Sequence, residues 1–329
     1  MGIQITGVGA YVPTRTVTNH DLAREVDTSH EWIATRTGIL ERRISEPGEA
    51  PSDMACEAAE RCLSHAGIDK AAIDLIVVAC ATPDQSQPAV ACMVQEKLGV
   101  AENKCPAFDV NSVCAGFVFA LNVAHSMMLT APMQFRNALV IGADAFSKIL
   151  NWDDRRTCIF FGDGAGAVLL SHTDKKERGI HFRLGSDGRG SHYIQVPAGG
   201  TRTPVSVKVL ENRLNTFVMD GPKVWDFAVN TVPQSIRCLL AEHGLTPDDL
   251  DLLVLHQSNL RMIEAIMTSL GLSMERTVTT IEKYGNTAAA SIPLTLQAAV
   301  ETGRLQPGSR VMLSGFGGGL SWGSALINW

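Results

Sequence analysis

Short runs of consecutive apolar residues alternate along the chain with longer stretches in which apolar residues return every three or four positions. That is the pattern of buried strands separated by helices. Residues 3–8, 75–79, 138–142, 165–170, 252–255, 310–314 and 324–328 read as strands, and "PAFDV" (106–110) is strand-like. Strands interleaved with helical segments predict α/β layers rather than a helical bundle.

The pattern repeats. "AGIDKAAIDLIVVACATP" (66–83) is echoed by "HGLTPDDLDLLVLHQSN" (243–259): a helix ends at Gly67 or Gly244, a short acidic link follows, and a buried strand starts at Asp74 or Asp251. More loosely, "NALVIGADAF" followed by "GDGAGAVLL" parallels "SRVMLSGFGGG" followed by "WGSALINW". Such echoes predict two similar halves packed together. The stretch 172–218, rich in Gly, Pro, Ser and Thr, is the expected bridge, and is long enough to carry some strand and substrate-lining loop of its own.

Composition adds limits. The chain has 329 residues, 45% hydrophobic and 19% charged, which suits an ordinary globular protein with a substantial core. A net charge of −6 argues against nucleic acid as the main partner. The first residues, "MGIQITGVGAYVP", lack the basic and apolar regions of a signal peptide, and no apolar run is expected to span a membrane, so a cytoplasmic protein is expected. The 8 cysteines lie mostly in apolar stretches without CxxC or zinc-like spacing, which fits free thiols.

One of these thiols sits unlike the rest. In "DVNSVCAGFVFAL" (109–121), Cys114 follows a strand and precedes a long apolar helix. Unpaired N–H groups and the positive helix end favour thiolate there, making Cys114 a candidate nucleophile, while the plain alternative is a buried cysteine filling a gap. His256 ends the strand "LDLLVLH", at the sheet edge where open α/β sheets bind ligands, or is a satisfied structural histidine. Asn286, in "EKYGNTAAASIP", is either a helix N-cap or an amide donor aimed at developing negative charge. "GDGAGA" (162–167) and "GFGGGLSWG" (315–323) lack the dinucleotide and P-loop spacings. The second offers backbone N–H donors where side chains would obstruct, or a turn only.

Together these features resemble the β-ketoacyl-acyl carrier protein synthase III family of thiolase-superfamily condensing enzymes, along essentially the whole chain. The resemblance rests on "DTSHEWIATRTGILERRI", "CPAFDVNSVCAGF", "DRRTCIFFGDGAGA", "HQSNLRM", "YGNTAAASIP" and "FGGGLSWGSAL", in that order. It implies a thiolase-like α/β fold of two similar halves, 1–173 with the cysteine and 174–329 with the histidine and asparagine, in a layered α-β-α-β-α architecture.

By the same resemblance, Cys114 takes an acyl group from acyl-CoA while the backbone N–H groups of Cys114 and Gly318 hold the oxyanion. His256 and Asn286 then donate to the thioester carbonyl of malonyl-acyl carrier protein, whose loss of carbon dioxide gives an enolate that attacks the acyl-cysteine. Trp32 and Arg155 would sandwich the CoA adenine and Arg36 meet its phosphates. Thr28, Met219, Gly221, Trp225, Ala228, Asn259 and Phe316 would line the pantetheine tunnel. The expectation is a homodimer needing no metal or organic cofactor, initiating fatty acid biosynthesis and binding neither nucleic acid nor membrane.

Some positions depart from the family pattern. Gln87, in "DQSQPAVAC", replaces a phenylalanine that the partner subunit inserts at the acyl-pocket floor. Asp226, Thr268 and Ser269 stand where carrier-docking lysines are usual, leaving Arg261, and Trp225 replaces a smaller aromatic. These departures motivate the alternative of a specialised-metabolism enzyme handling an unusual acyl group. A non-catalytic partner subunit fits poorly, because the Cys, His and Asn are all retained; a papain-like hydrolase fits poorly with two similar halves.

Overall fold

Every residue of the strand Leu75–Ala79 is buried, and alternate residues face different helix layers. Leu75, Val77 and Ala79 pack inward on two central helices, Gly116–Thr130 and Ser291–Glu301, whereas Ile76 and Val78 pack outward on Pro51–Ala66 and Val90–Lys97. A strand covered on both faces needs no polar face, which is why its sequence is a continuous apolar run. The structure is a computed structural model, and it describes residues 2–174 and 179–329.

The first sheet orders its five strands as Gly2–Tyr11, Asp163–Thr173, Asn137–Ala145, Leu75–Ala79 and Ala107–Val110. The second runs Leu252–Leu255, Arg310–Gly317, Ser321–Asn328 and Ile180–Ser186. In each sheet the short buried strand pairs in parallel with the next, which then pairs antiparallel with a long strand. A single parallel bridge from Leu253 to Thr277 marks where a fifth strand of the second sheet would lie. Outside the second sheet pack Gly221–Glu242 and Leu260–Leu270, completing the α-β-α-β-α layering.

The sequence echo corresponds to the same local physics twice. Gly67 and Gly244 end their helices with φ of +64° and +68°, a conformation glycine takes without Cβ strain. Asp74 N–H donates to Asn137 O at 3.0 Å, and Asp74 Oδ2 accepts the Arg136 and Asn137 N–H groups at 2.9 and 3.1 Å. Asp251 N–H donates to Arg310 O at 2.9 Å, and its Oδ2 accepts the Arg310 N–H at 2.7 Å. Each aspartate thus pins the start of a central parallel pair.

One expectation changes and another holds. Val113–Thr130 is 18 residues of mean hydropathy 1.6, so among the described residues one segment is long and apolar enough to cross a membrane. Its apolarity has another cause here: Phe117, Val118, Leu121, Ala124 and Met128 are fully buried between the two sheets. The bridging stretch supplies Ile180–Ser186, the outer strand of the second sheet, and Ile194–Gln195, which pairs with Val218–Met219.

Candidate active site

The turn Val113–Ala115 lifts Cys114 to the N-terminal end of the central helix Gly116–Thr130. The glycine strand crosses it closely. A methyl group on Gly317 would lie 2.8 Å from Cys114 Cβ and 3.3 Å from its Sγ, and one on Gly315 would lie 3.1 Å from Ala115 Cα. Only glycine lets this backbone approach the thiol, which explains the first part of "GFGGG". Gly318 lies one step beyond, against Val113 and Ile194.

His256 leaves the end of the strand Leu252–Leu255 with its backbone N–H donated to Ser314 O at 2.9 Å. Its Nδ1 is 2.6 Å from Ser291 Oγ, and its ring stands edge-on to Phe316 at 5.2 Å. One ring nitrogen is therefore engaged by a hydroxyl that can donate or accept, leaving Nε2 for chemistry. Asn286 Oδ1 accepts the Ala288 N–H at 2.9 Å, which fixes the amide and leaves Nδ2 as a donor. Asn286 thus closes a turn just ahead of Thr287, which caps the 3-10 turn, and its Nδ2 is left over from that bond.

Cys114, His256 and Asn286 come from separate segments to the wall of one cavity of about 230 Å³. Apart from these three, the wall is mostly apolar, with Phe160, Phe161, Phe217, Met219, Val224 and Phe316 contributing, and Gly317 completing it beside the thiol. An apolar cleft with a few convergent polar groups is the form of a small-molecule site.

The whole chain is similar to known proteins. The family model described as "3-Oxoacyl-[acyl-carrier-protein (ACP)] synthase III" matches residues 108–188, and its C-terminal counterpart matches residues 240–329. A β-ketoacyl-[acyl-carrier-protein] synthase III of Caldanaerobacter subterraneus is 43% identical over 99% of this chain and 97% of its own length. One from Neisseria meningitidis is 46% identical over 99% of both. The crystal structure of the Aquifex aeolicus 3-oxoacyl-[acyl-carrier-protein] synthase III superposes with a TM-score of 0.91 at 36% identity, covering 100% of each chain. The chain belongs to the β-ketoacyl-[acyl-carrier-protein] synthase III family. It is therefore a condensing acyltransferase with the thiolase-like fold.

Of the tunnel residues expected from the family, Met219, Gly221, Trp225, Asn259 and Phe316 line the cavity. Asn259 also caps the helix Leu260–Leu270, its side chain accepting the Arg261 N–H at 2.8 Å. Ala228 does not line the cavity. It is fully buried in the outer core with Val232 and Ile236, one helical turn deeper than Trp225.

Toward the rim, two guanidinium groups pack on Trp32, with Arg36 Cζ 5.1 Å and Arg155 Cζ 5.5 Å from its ring centroid. Asp27 steadies Arg155 through its carbonyl and carboxylate oxygens, at 2.5 and 3.1 Å. Thr28 Oγ1 is enclosed without a hydrogen-bond partner among the described residues. Arg261, expected at the carrier-docking face, donates to Thr35 O and to both Glu264 oxygens, which neutralises much of its charge. Gln87 is exposed and away from this cavity.

The expected thiolate bias at Cys114 is overturned. Burial pushes the thiol well above its ordinary range, and the nearby Asp144 carboxylate pushes it the same way. Enclosure in the cavity outweighs the helix end, so the resting group is a thiol. Burial also holds His256 down at about 3, so its imidazole is neutral at physiological pH. The His256 ring is accordingly expected to show no NMR titration between pH 8 and 5; a midpoint near its ordinary value would contradict the enclosure of this site.

Sequence reasoning missed Asp144. Its Oδ1 accepts the Ala81 and Thr82 N–H groups and the Thr82 hydroxyl at 2.8, 3.0 and 2.8 Å, and its Oδ2 accepts the Ala289 N–H at 3.0 Å. It ties the first sheet to the turn following Asn286. The available signal was a single acid closing the apolar run "NALVIGADAF".

Proposed function

We propose that this chain condenses an acyl-CoA starter with malonyl-acyl carrier protein to give 3-oxoacyl-acyl carrier protein, the initiating step of fatty acid biosynthesis. The observation that carries the reading is the convergence of Cys114, His256 and Asn286 on one apolar cavity, with Gly317 against the thiol. Cys114 Sγ attacks the thioester carbon of acyl-CoA, while the Cys114 N–H and a neighbouring N–H of the glycine loop, that of Gly318, hold the oxyanion. Because the resting group is a thiol, its proton must leave as the bond forms. Held near 3, His256 is too weak a base to keep that proton, so its Nε2 relays it to the CoA sulfur in concert with C–S cleavage, with Nδ1–H donated to Ser291 Oγ.

In the second half, the malonyl thioester carbonyl meets Asn286 Nδ2–H and His256 Nε2–H, with the Ser291 hydroxyl now donating to Nδ1. Loss of carbon dioxide leaves its electron pair as an enolate held by those donors. The enolate carbon attacks the acyl-cysteine carbonyl, the C–S bond breaks, and the Cys114 thiolate takes the one proton the reaction consumes from solvent. Neutral donors suit this step, since it needs stabilisation of charge at oxygen more than a base.

Trp32 offers an aromatic face for adenine and Arg36 a charge for phosphate, and Arg155, whose Cζ lies 5.5 Å from the ring centroid, has to move outward for the base to enter between them. A homodimer belongs to this reading, and the exposure of Gln87 and Pro88 leaves that loop available to a second subunit. The test is intact-protein and peptide mass spectrometry after brief incubation with acyl-CoAs from acetyl to branched, medium-chain and aromatic. An acetyl adduct on the Cys114 peptide is the expected result; labelling by none of them would reject the assignment.

A further inference from the structure

The two central helices begin with the same unusual turn. In residues 111–116, "NSVCAG", the side-chain Oδ1 of Asn111 accepts the Val113 N–H at 3.1 Å. In residues 286–291, "NTAAAS", Asn286 Oδ1 accepts the Ala288 N–H at 2.9 Å. Val113 and Ala288 then adopt φ of +46° and +48°, and only two other non-glycine residues among those described have positive φ. A three-residue 3-10 turn follows in each, closed by Ala115 N–H to Ser112 O at 3.1 Å and by Ala290 N–H to Thr287 O at 3.0 Å. Each turn leads directly into its helix.

Asn111 thus holds in the first half the place that Asn286 holds in the second, and Cys114 corresponds to Ala289. The two asparagines differ in one respect. Asn286 is buried and lines the cavity, whereas Asn111 is exposed and does not.

A β-branched residue avoids the left-handed region because its Cβ crowds the carbonyl. Val113 is therefore held there by something outside itself, and the Asn111 side chain bonded to its N–H is the available restraint. The conformation of Val113 sets the direction of the following peptide, which carries the Cys114 N–H. That nitrogen lies 3.1 Å from where a methyl on Gly317 would be, so it borders the glycine loop. We infer that Asn111 is a positioning residue for acyl transfer, holding the Val113 backbone so that the Cys114 N–H and thiol face the reacting carbonyl. This inference rests on the acyl-transfer reading of Cys114 proposed above.

The test is a double-mutant cycle read by the rate and KM of Cys114 acylation from acetyl-CoA. Asn111→Ala is expected to slow acylation by about tenfold or more, below the full loss of an oxyanion donor. KM and the melting temperature should hold, because an exposed side chain is removed. Asn111→Asp, which keeps the acceptor oxygen, should recover most of the rate. Glycine takes positive φ unaided, so in a Val113→Gly background Asn111→Ala should have no further effect.

Wild-type acylation in Asn111→Ala, or an undiminished penalty in the Val113→Gly background, would overturn the inference and leave the proposed function intact. Alkylation of the Cys114 peptide by iodoacetamide needs no acyl-CoA and reads the same turn. The expected pattern is slowing in Asn111→Ala with recovery in Asn111→Asp. If the wild type takes no acyl group, the proposed function fails, and equal alkylation rates across the variants would then overturn this inference as well.

Discussion

Cys114→Ala is expected to carry no acyl group after incubation with acyl-CoA and to lose condensation by at least about a thousand-fold, while still releasing carbon dioxide from malonyl-acyl carrier protein. The thiol is the only group in the proposed scheme that bonds covalently to the starter. Removing it leaves His256 and Asn286 on the cavity wall, still able to stabilise the enolate oxygen. The complementary variant is Asn286→Asp. Its side chain can still accept the Ala288 N–H, so the turn survives, but an acceptor replaces the donor at the thioester carbonyl. It should acylate at a measurable rate and lose decarboxylation by about a hundredfold or more. Acylation is followed by mass spectrometry and decarboxylation by release of labelled carbon dioxide. If Asn286→Asp decarboxylates normally, the residue serves only its turn; if Cys114→Ala still becomes acylated, the nucleophile lies elsewhere.

The division between what was legible in the sequence and what was not follows physical range. The strands Leu75–Ala79 and Leu252–Leu255 coincide with the apolar runs that predict them, because a strand buried on both faces leaves an unbroken signature. Cys114, His256 and Asn286 stand at strand ends or helix starts, where polar residues interrupt apolar patterns, so local reading could nominate them. Their assembly depends on two sheets packing across the central helices, which local pattern does not encode.

The misjudged thiol has the same origin. The helix end is visible in "NSVCAGF", whereas enclosure by the glycine strand and the charge of Asp144 are tertiary. The paired asparagine turns also stayed hidden, since "NSVCAG" and "NTAAAS" share only Asn and one Ala. Their likeness lies in backbone angles and one repeated hydrogen bond.

Asp144→Ala is expected to be the more damaging substitution for the fold. The carboxylate is fully buried and serves the Ala81, Thr82 and Ala289 N–H groups together, joining the first sheet to the turn beyond Asn286. Its removal strands two buried donors, on Thr82 and Ala289, and the part-buried one of Ala81, at about 1–3 kcal/mol each. Against this, burial raises the Asp144 pKa to about 6, so the folded protein at pH 7 bears a charge-burial cost of roughly 3 kcal/mol that the variant escapes. The donors win, and a net loss of about 3 kcal/mol at pH 7 is expected. The pH dependence carries a definite sign. The folded state binds the Asp144 proton more tightly than the unfolded chain between about pH 4 and 6, so this group's contribution to stability falls as pH rises through that window. The wild type sheds its cost on acidification and the variant has none to shed, so the gap between their urea midpoints should widen from pH 7 to pH 4.5. A gap that narrows would mean that Asp144 is stabilised as the anion. Decarboxylation should fall more than acylation, because the lost anchor on Ala289 belongs to the turn that carries Asn286, while Cys114 stands on its own turn with its own asparagine.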